Sequence, residues 1–230
     1  FLVSMYRNAM KLNKLISRII DFRKLESGKL KLEPQSLNLV TFCKDLTVDY
    51  EALCQQKNII FHFLPSRTII RVEFDPEKME ILLSNLISNA FKYTPEGGKI
   101  VLSIDETDEK VTLVVEDNGI GIQKEFQEVI FDRFFQIENT EIFSTGDGIG
   151  LSFVKHLVEL HDGTIRVESE LNKGAKFIVE LPKKERVDEP VSSEEEIIIV
   201  PKSVKENMLV VTESASSCLL YTSDAADERS

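Results

Sequence analysis

Asp75-Pro76-Glu77-Lys78-Met79-Glu80-Ile81-Leu82-Leu83-Ser84-Asn85-Leu86-Ile87-Ser88-Asn89-Ala90-Phe91-Lys92-Tyr93-Thr94 is the stretch on which the fold turns. Asp75 is a helix-capping residue type, and Pro76 suits a first helical turn. Met79, Leu82, Leu83, Leu86, Ile87 and Ala90 recur at i, i+3, i+4, i+7, the spacing of a helix buried along one side. Asn85, Asn89 and Lys92 follow at steps of four and three, so they share one stripe beside the apolar face. A solvated polar face is the plain reading of such a stripe. Two asparagines are poor choices for it, because Asn is a weak helix former. An amide oxygen can reach a hard cation such as magnesium, and a lysine ammonium suits phosphate. The helix therefore reads as one wall of a nucleotide–metal site, which needs glycine-rich partners elsewhere in the chain.

Composition sets the frame around that helix. The chain has 230 residues, 42% of them hydrophobic and 29% charged, which is globular composition. Its net charge of −11 argues against nucleic acid or anionic lipid as a general partner. Any phosphate must then be held by local groups. Cys43, Cys54 and Cys218 show neither metal spacing nor pairing, so a reducing, cytoplasmic setting is expected. No apolar run approaches the roughly 18–20 residues that span a membrane, and no signal peptide opens the chain. Phe1 stands where an initiator methionine would, so the chain reads as a piece of something longer.

Taken in order, residues 1–27 predict one long helix. Leu2, Met5, Ala9, Leu12, Leu15, Ile16, Ile19 and Phe22 form a near-heptad stripe, as in a bundle or coiled-coil dimer. Gly28 and Pro34 close it. Residues 36–57 predict a second amphipathic helix, with Leu39, Phe42, Leu46, Tyr50 and Leu53 inward. Residues 59–64 and 69–74 read as strands joined by a turn at Pro65-Ser66-Arg67. Beyond the central helix, residues 99–105 and 111–116 alternate as strands. A short helix at 124–130, an aromatic cluster of Phe131, Phe134 and Phe135, and a loop over 136–146 follow. Residues 151–160 predict a helix stopped by Gly163, and 164–170 with 175–181 a hairpin across Asn172-Lys173-Gly174. The order predicts an α+β architecture, an α/β sandwich with one mixed sheet covered by helices on a single face.

Two glycine-rich segments carry the chemistry. Asp117-Asn118-Gly119-Ile120-Gly121 directly follows a strand. Alone it reads equally well as a turn. Functionally, a carboxylate at a strand end can accept from an adenine amino group while the glycines let backbone approach the flat base. Gly146-Asp147-Gly148-Ile149-Gly150-Leu151 opens a helix. It matches a dinucleotide fingerprint only loosely and has no βαβ unit around it. It offers amide N–H groups and a positive dipole end to phosphates.

Together these segments resemble sensor histidine kinases. The stretch Asn85 to Thr94 is similar to their N box, Asp117 to Gly121 to the G1 box, Phe131-Asp132-Arg133-Phe134-Phe135 to the F box, and Gly146 to Leu151 to the G2 box. The resemblance implies the Bergerat ATP-binding fold, with ATP and Mg²⁺ as cofactors. It implies that Asn89 coordinates Mg²⁺ with Asn85 beside it, that Lys92 touches phosphate, and that Tyr93 packs near adenine. Asp117 would bind the adenine amino group. Gly119, Ile120, Gly121, Ile122, Gly146, Asp147, Gly148, Ile149, Gly150 and Leu151 would shape the pocket, with a lid over 136–146. Asn85, Lys92 and Arg133 are the catalytic candidates, Arg133 for γ-phosphate charge. Gyrase-type and chaperone relatives carry a glutamate at the Asn85 position; an amide cannot act as a general base. The site should hold ATP for transfer to a histidine and hydrolyse it slowly.

By the same resemblance, residues 1–34 are the second helix of a dimerisation and phosphotransfer hairpin, and 35–183 the catalytic domain. Residues 184–207 are a linker, and 208–230 a truncated receiver start or a non-native disordered tail. The implied partners are the histidine-bearing first helix of the hairpin, a response-regulator receiver and a second copy of the parent, which would be anchored in the inner membrane. No nucleic acid is implied. His62, His156 and His161 lie outside any phosphoacceptor context and read as structural or surface residues. Two other readings stand: a serine-directed kinase of the same superfamily, which the helix over 1–27 disfavours, and a non-catalytic nucleotide-binding module.

Overall fold

The computed structural model describes Met5, residues 30–135, residues 148–183 and Leu219–Leu220. The expected helix over 1–27 (Met5 apart), the lid over 136–146, the linker and most of the tail lie outside the described residues.

The region predicted as one helix over 36–57 is instead a strand and two helices. Strand β1 (Gln35–Asn38) leads into α1 (Leu39–Val48), and α2 (Glu51–Lys57) follows. Asn38 is the cause of the first break. Its side-chain oxygen accepts from Val40 N at 3.2 Å, capping α1, and from Ile70 N at 3.1 Å. The second break falls at Asp49–Tyr50, where the Tyr50 ring stacks on Phe91 with centroids 5.4 Å apart. Helix α2 ends on Asn58, at a left-handed φ of 51°.

Strands β2 (Ile60–Pro65) and β3 (Arg71–Phe74) do not form the hairpin that their spacing suggests. β3 pairs antiparallel with β1, from Gln35↔Phe74 to Asn38↔Arg71. β2 enters the main sheet beside β4 (Lys99–Glu106), in parallel. Alternation marks a strand but not its partner, and here the partners are distant in sequence. Helix α3 (Pro76–Tyr93) follows β3 in the chain, and Asp75 caps it by accepting from Lys78 N at 3.1 Å.

β5 (Lys110–Asp117) pairs antiparallel with β4. The segment expected as a helix over 124–130 forms two 3₁₀ turns, Lys124–Phe126 and Val129–Phe131. Helix α4 (Gly150–Leu160) precedes the β6 (Thr164–Glu170) and β7 (Gly174–Pro182) hairpin. The sheet order is β6-β7-β5-β4-β2, extended by two residues of β8 (Leu219–Leu220) alongside β2.

Alternate residues of the strands build a single buried face. Phe61, Phe63, Ile100, Leu102, Ile104, Val111, Leu113, Val115, Phe177, Val179 and Leu181 are buried there. Leu82, Leu83, Leu86 and Ile87 of α3, with Val154, Leu157 and Val158 of α4, are buried in the same core. The expected α+β sandwich, a mixed sheet with its helices on one side, is what forms. Cys43 and Cys54 are buried thiols outside any disulfide, and burial pushes the Cys43 thiol far above its usual range.

Candidate nucleotide site

The first wall is the C-terminal half of α3. Asn85, Asn89, Lys92 and Tyr93 are all half-buried on it, beside fully buried Leu86, Ile87 and Ala90. Asn85 donates through Nδ2 to the Ile81 carbonyl at 2.7 Å, so its Oδ1 is the end left for a ligand. Lys92 donates to the Tyr93 hydroxyl at 3.0 Å. Its ammonium also lies 4.8 Å from the Tyr93 ring centre, so the charge is parked on the aromatic edge of the wall.

The second wall is the end of β5. Asp117 is only 8% exposed, and its Oδ1 accepts from Gly119 N at 2.8 Å. The Ala175 amide also donates to this carboxylate, yet burial outweighs both bonds and raises its pKa above the ordinary aspartate value. Gly119 must lack a side chain here, because a Cβ would overlap the Tyr93 carbonyl oxygen. The Ile120 amide donates to that same carbonyl at 3.3 Å. The G1 turn is therefore stitched directly to the last residue of α3. Gly121 takes a φ of +68° and packs against the Glu170 carbonyl. Ile122 is tied down by its amide, which donates to Ser169 Oγ at 2.8 Å.

The third wall is the start of α4. Gly148 has a φ of +63°, and its carbonyl accepts from Phe134 N at 2.9 Å. That bond brings the F box to the G2 segment, with Arg133 exposed one residue earlier. Ile149 supplies no side-chain cap, so the first amides of α4 keep the open N-terminus that suits an anion. A Cβ on Gly150 would lie 3.1 Å from Asn85 Oδ1. Leu151 packs half-buried against the core. Gly146 and Asp147 lie outside the described residues.

The three segments singled out in sequence thus meet: Tyr93 touches Gly119 and Ile120, and Asn85 faces Gly150. Sequence reasoning passed over the residues that support them. Asn118 accepts from Lys99 N at 2.7 Å, and Ser169 both receives Ile122 N and donates to the Gly174 carbonyl at 2.6 Å. The Thr94 hydroxyl, next to Tyr93, is buried and has no hydrogen-bond partner among the described residues. Asn118 and Ser169 have no spacing signature, because they bond to the backbone of Lys99 and Ile122, far away in sequence. The three histidines are placed as expected. His62 lies on β2, His156 pairs with Glu159 at 3.3 Å on the surface of α4, and His161 is buried.

The fold and this three-sided site define an ATP-binding domain of the Bergerat type. A profile of the histidine kinase-, DNA gyrase B-, and HSP90-like ATPase family matches residues 74–185. Histidine kinase P4 of Formosa agariphila is 38% identical over 179 residues, which is 76% of this chain and 13% of that protein. The chain therefore spans a small fraction of that relative. The solved catalytic domain of the histidine kinase ThkA is 33% identical with a TM-score of 0.60, covering 66% of this chain and 99% of that one. ThkA in complex with the response regulator protein TrrA matches at 28% identity and a TM-score of 0.60, over 75% of this chain and 49% of that one. The chain belongs to the histidine kinase-, DNA gyrase B-, and HSP90-like ATPase family, and its domain is homologous to the catalytic domains of sensor histidine kinases.

Proposed function

We propose that this chain binds Mg²⁺–ATP between α3, the end of β5 and the start of α4, and passes the γ-phosphoryl to a histidine on a separate hairpin helix. The observation that carries the reading is the meeting of Asn85 with Gly150 and of Tyr93 with Gly119 and Ile120. In this reading Asp117 accepts from the adenine amino group and the Gly119–Ile120 backbone lies against the base. Tyr93 flanks it. Lys92 swings from the Tyr93 hydroxyl to a phosphate, and the α4 N-terminus receives phosphate oxygens. Arg133, one residue before the Phe134–Gly148 bond, would serve γ-phosphate charge.

The donor set fits magnesium. Among the described residues no group of three His, Cys, Asp or Glu could cage an ion. Mg²⁺ needs no such cage, because phosphates and water supply most of its ligands. Asn89 and Oδ1 of Asn85 would hold it, and when bound it would screen the charge on the phosphates. Asn85 supplies no base, so no group at that position activates water. What remains is positioning and charge screening, which is what phosphoryl transfer requires of a protein.

The finer partners belong to the same proposal: a hairpin bearing the acceptor histidine, a receiver domain, a second copy of the parent, and a cytoplasmic site in a parent anchored in the inner membrane. The match to ThkA with its response regulator supports the receiver. No helix among the described residues is long and apolar enough to cross a membrane. The test is a titration of the 230-residue chain with a non-hydrolysable ATP analogue. Saturable binding that requires magnesium is expected; no binding, or binding indifferent to magnesium, overturns the reading.

A further inference from the structure

The two helical walls are joined a second time, at the end of α3 remote from Asn85. Helix α3 starts and α4 stops there. Three bonds of Asp75 join the chain at this point. Its Oδ1 accepts from Lys78 N at 3.1 Å, and its Oδ2 accepts from Glu33 N at 2.9 Å. Its own backbone amide donates to Nε2 of His161 at 3.2 Å. His161 Nδ1 lies 2.7 Å from the Leu157 carbonyl, one turn back in α4. Both side chains are buried, Asp75 at 4% and His161 at 7% exposure. An amide can only donate, so Nε2 must be bare. The bonding thus assigns the neutral ring with its proton on Nδ1.

We infer that Asp75 and His161 are positioning residues that set the register of α4 against α3, and so the gap between Gly150 and Asn85, and that tie this register to the chain entering at residues 30–34. The inference rests on the reading of that gap as the phosphate site. The physical argument concerns direction. Apolar packing between the helices is non-directional and tolerates sliding and rotation. A buried hydrogen bond at 3.2 Å does not, since it weakens steeply with misalignment. Ten residues of rigid helix carry the constraint from Asp75 to Asn85, and eleven carry it from His161 back to Gly150. The Glu33 bond places the entering chain on the same carboxylate. A displacement there acts on both walls through one residue.

Three variants of the full chain test this: His161→Asn, His161→Gln and Asp75→Asn. Asn keeps a donor for the Leu157 carbonyl but reaches no acceptor to Asp75. Gln places an acceptor where Nε2 was. The readouts are affinity for a non-hydrolysable ATP analogue with magnesium and amide hydrogen exchange. His161→Asn is expected to weaken affinity about tenfold, within the usual range of coupling between distant groups. It should also speed exchange at the Asp75 amide, while His161→Gln stays near the parent in both. Asp75→Asn should free the Glu33 amide and leave Lys78 protected. Equal effects of Asn and Gln at position 161, or parental exchange at Asp75 in His161→Asn, overturn the inference. A parent chain that binds no analogue sinks the nucleotide reading instead, and the exchange rates then judge the hydrogen-bonded node alone.

Discussion

Asp117 is a carboxylate held where a charge is costly, and that cost is what a base-binding group at a strand end involves. Its raised pKa comes first from burial, with the Gly119 and Ala175 amides pulling the other way. The folded pKa therefore lies above the unfolded one. Its contribution to stability is present at low pH and is lost as pH rises through the folded value. Asp117→Asn removes that loss, so the variant should gain thermal stability relative to the parent as pH rises through the carboxylate range, with the gap closing in acid. Melting curves of the pair at acidic and neutral pH check the sign. The same variant should discriminate adenine from guanine nucleotides less well; unaltered selectivity would remove Asp117 from base recognition. Asn89 makes the opposite case, a neutral amide on a half-exposed stripe with little to do for the fold. Asn89→Ala should leave the melting temperature in place and weaken magnesium-dependent nucleotide binding about tenfold or more, the scale on which lost metal-site groups act. Calorimetry with and without magnesium measures it.

Among elements, α3 was the most legible, because its cap, first-turn proline and apolar spacing all agree with its buried face. Legibility fell where a local pattern had a distant competitor. Residues 36–57 have helical spacing throughout, yet Asn38 pairs with Ile70 and Tyr50 with Phe91, and those contacts cut the helix twice. Residues 60–74 look like a hairpin, yet β2 and β3 take their partners from different sheets. The 124–130 segment is too short to outbid the Phe126–Phe135 and Phe131–Phe177 ring contacts, at 5.7 and 6.4 Å, that shape it into 3₁₀ turns. Element junctions are also where substitution should cost most. Gly119→Ala would drive a methyl into the Tyr93 carbonyl and part α3 from the G1 turn. A loss of about 1–3 kcal/mol, typical of overpacking, is expected together with weaker nucleotide binding. Gly97→Ala is the comparison, because its φ of +78° is strained but nothing lies within 4 Å of a Cβ there. It should cost about 1 kcal/mol, the scale of a left-handed residue, with binding unchanged. Urea unfolding of both variants separates the two.

At the scale of the molecule, the proposal that none of this chain's three histidines is the phosphate acceptor gives a clean expectation. Incubated with γ-labelled ATP, the chain alone should acquire no acid-labile phosphate, since His62 is in a strand, His156 on a helix surface and His161 hydrogen-bonded in the core. Adding a separately prepared histidine-bearing hairpin should put label on the hairpin. Label on the chain itself, or none anywhere despite tight ATP binding, would count against the transferase reading, the second outcome favouring a binding module. The sequence by itself determined the class of fold, the central helix and the three segments of the site, because helical and strand periodicity, caps and glycines act over a few residues. Only the tertiary structure decided which strands pair, where the second helix breaks, and that Asp75 and His161 join the two walls. Those choices are made by contacts between residues far apart in the chain, such as Asn38 with Ile70 or Asp75 with His161, and no local spacing encodes which distant partner a hydrogen bond or a buried ring will find.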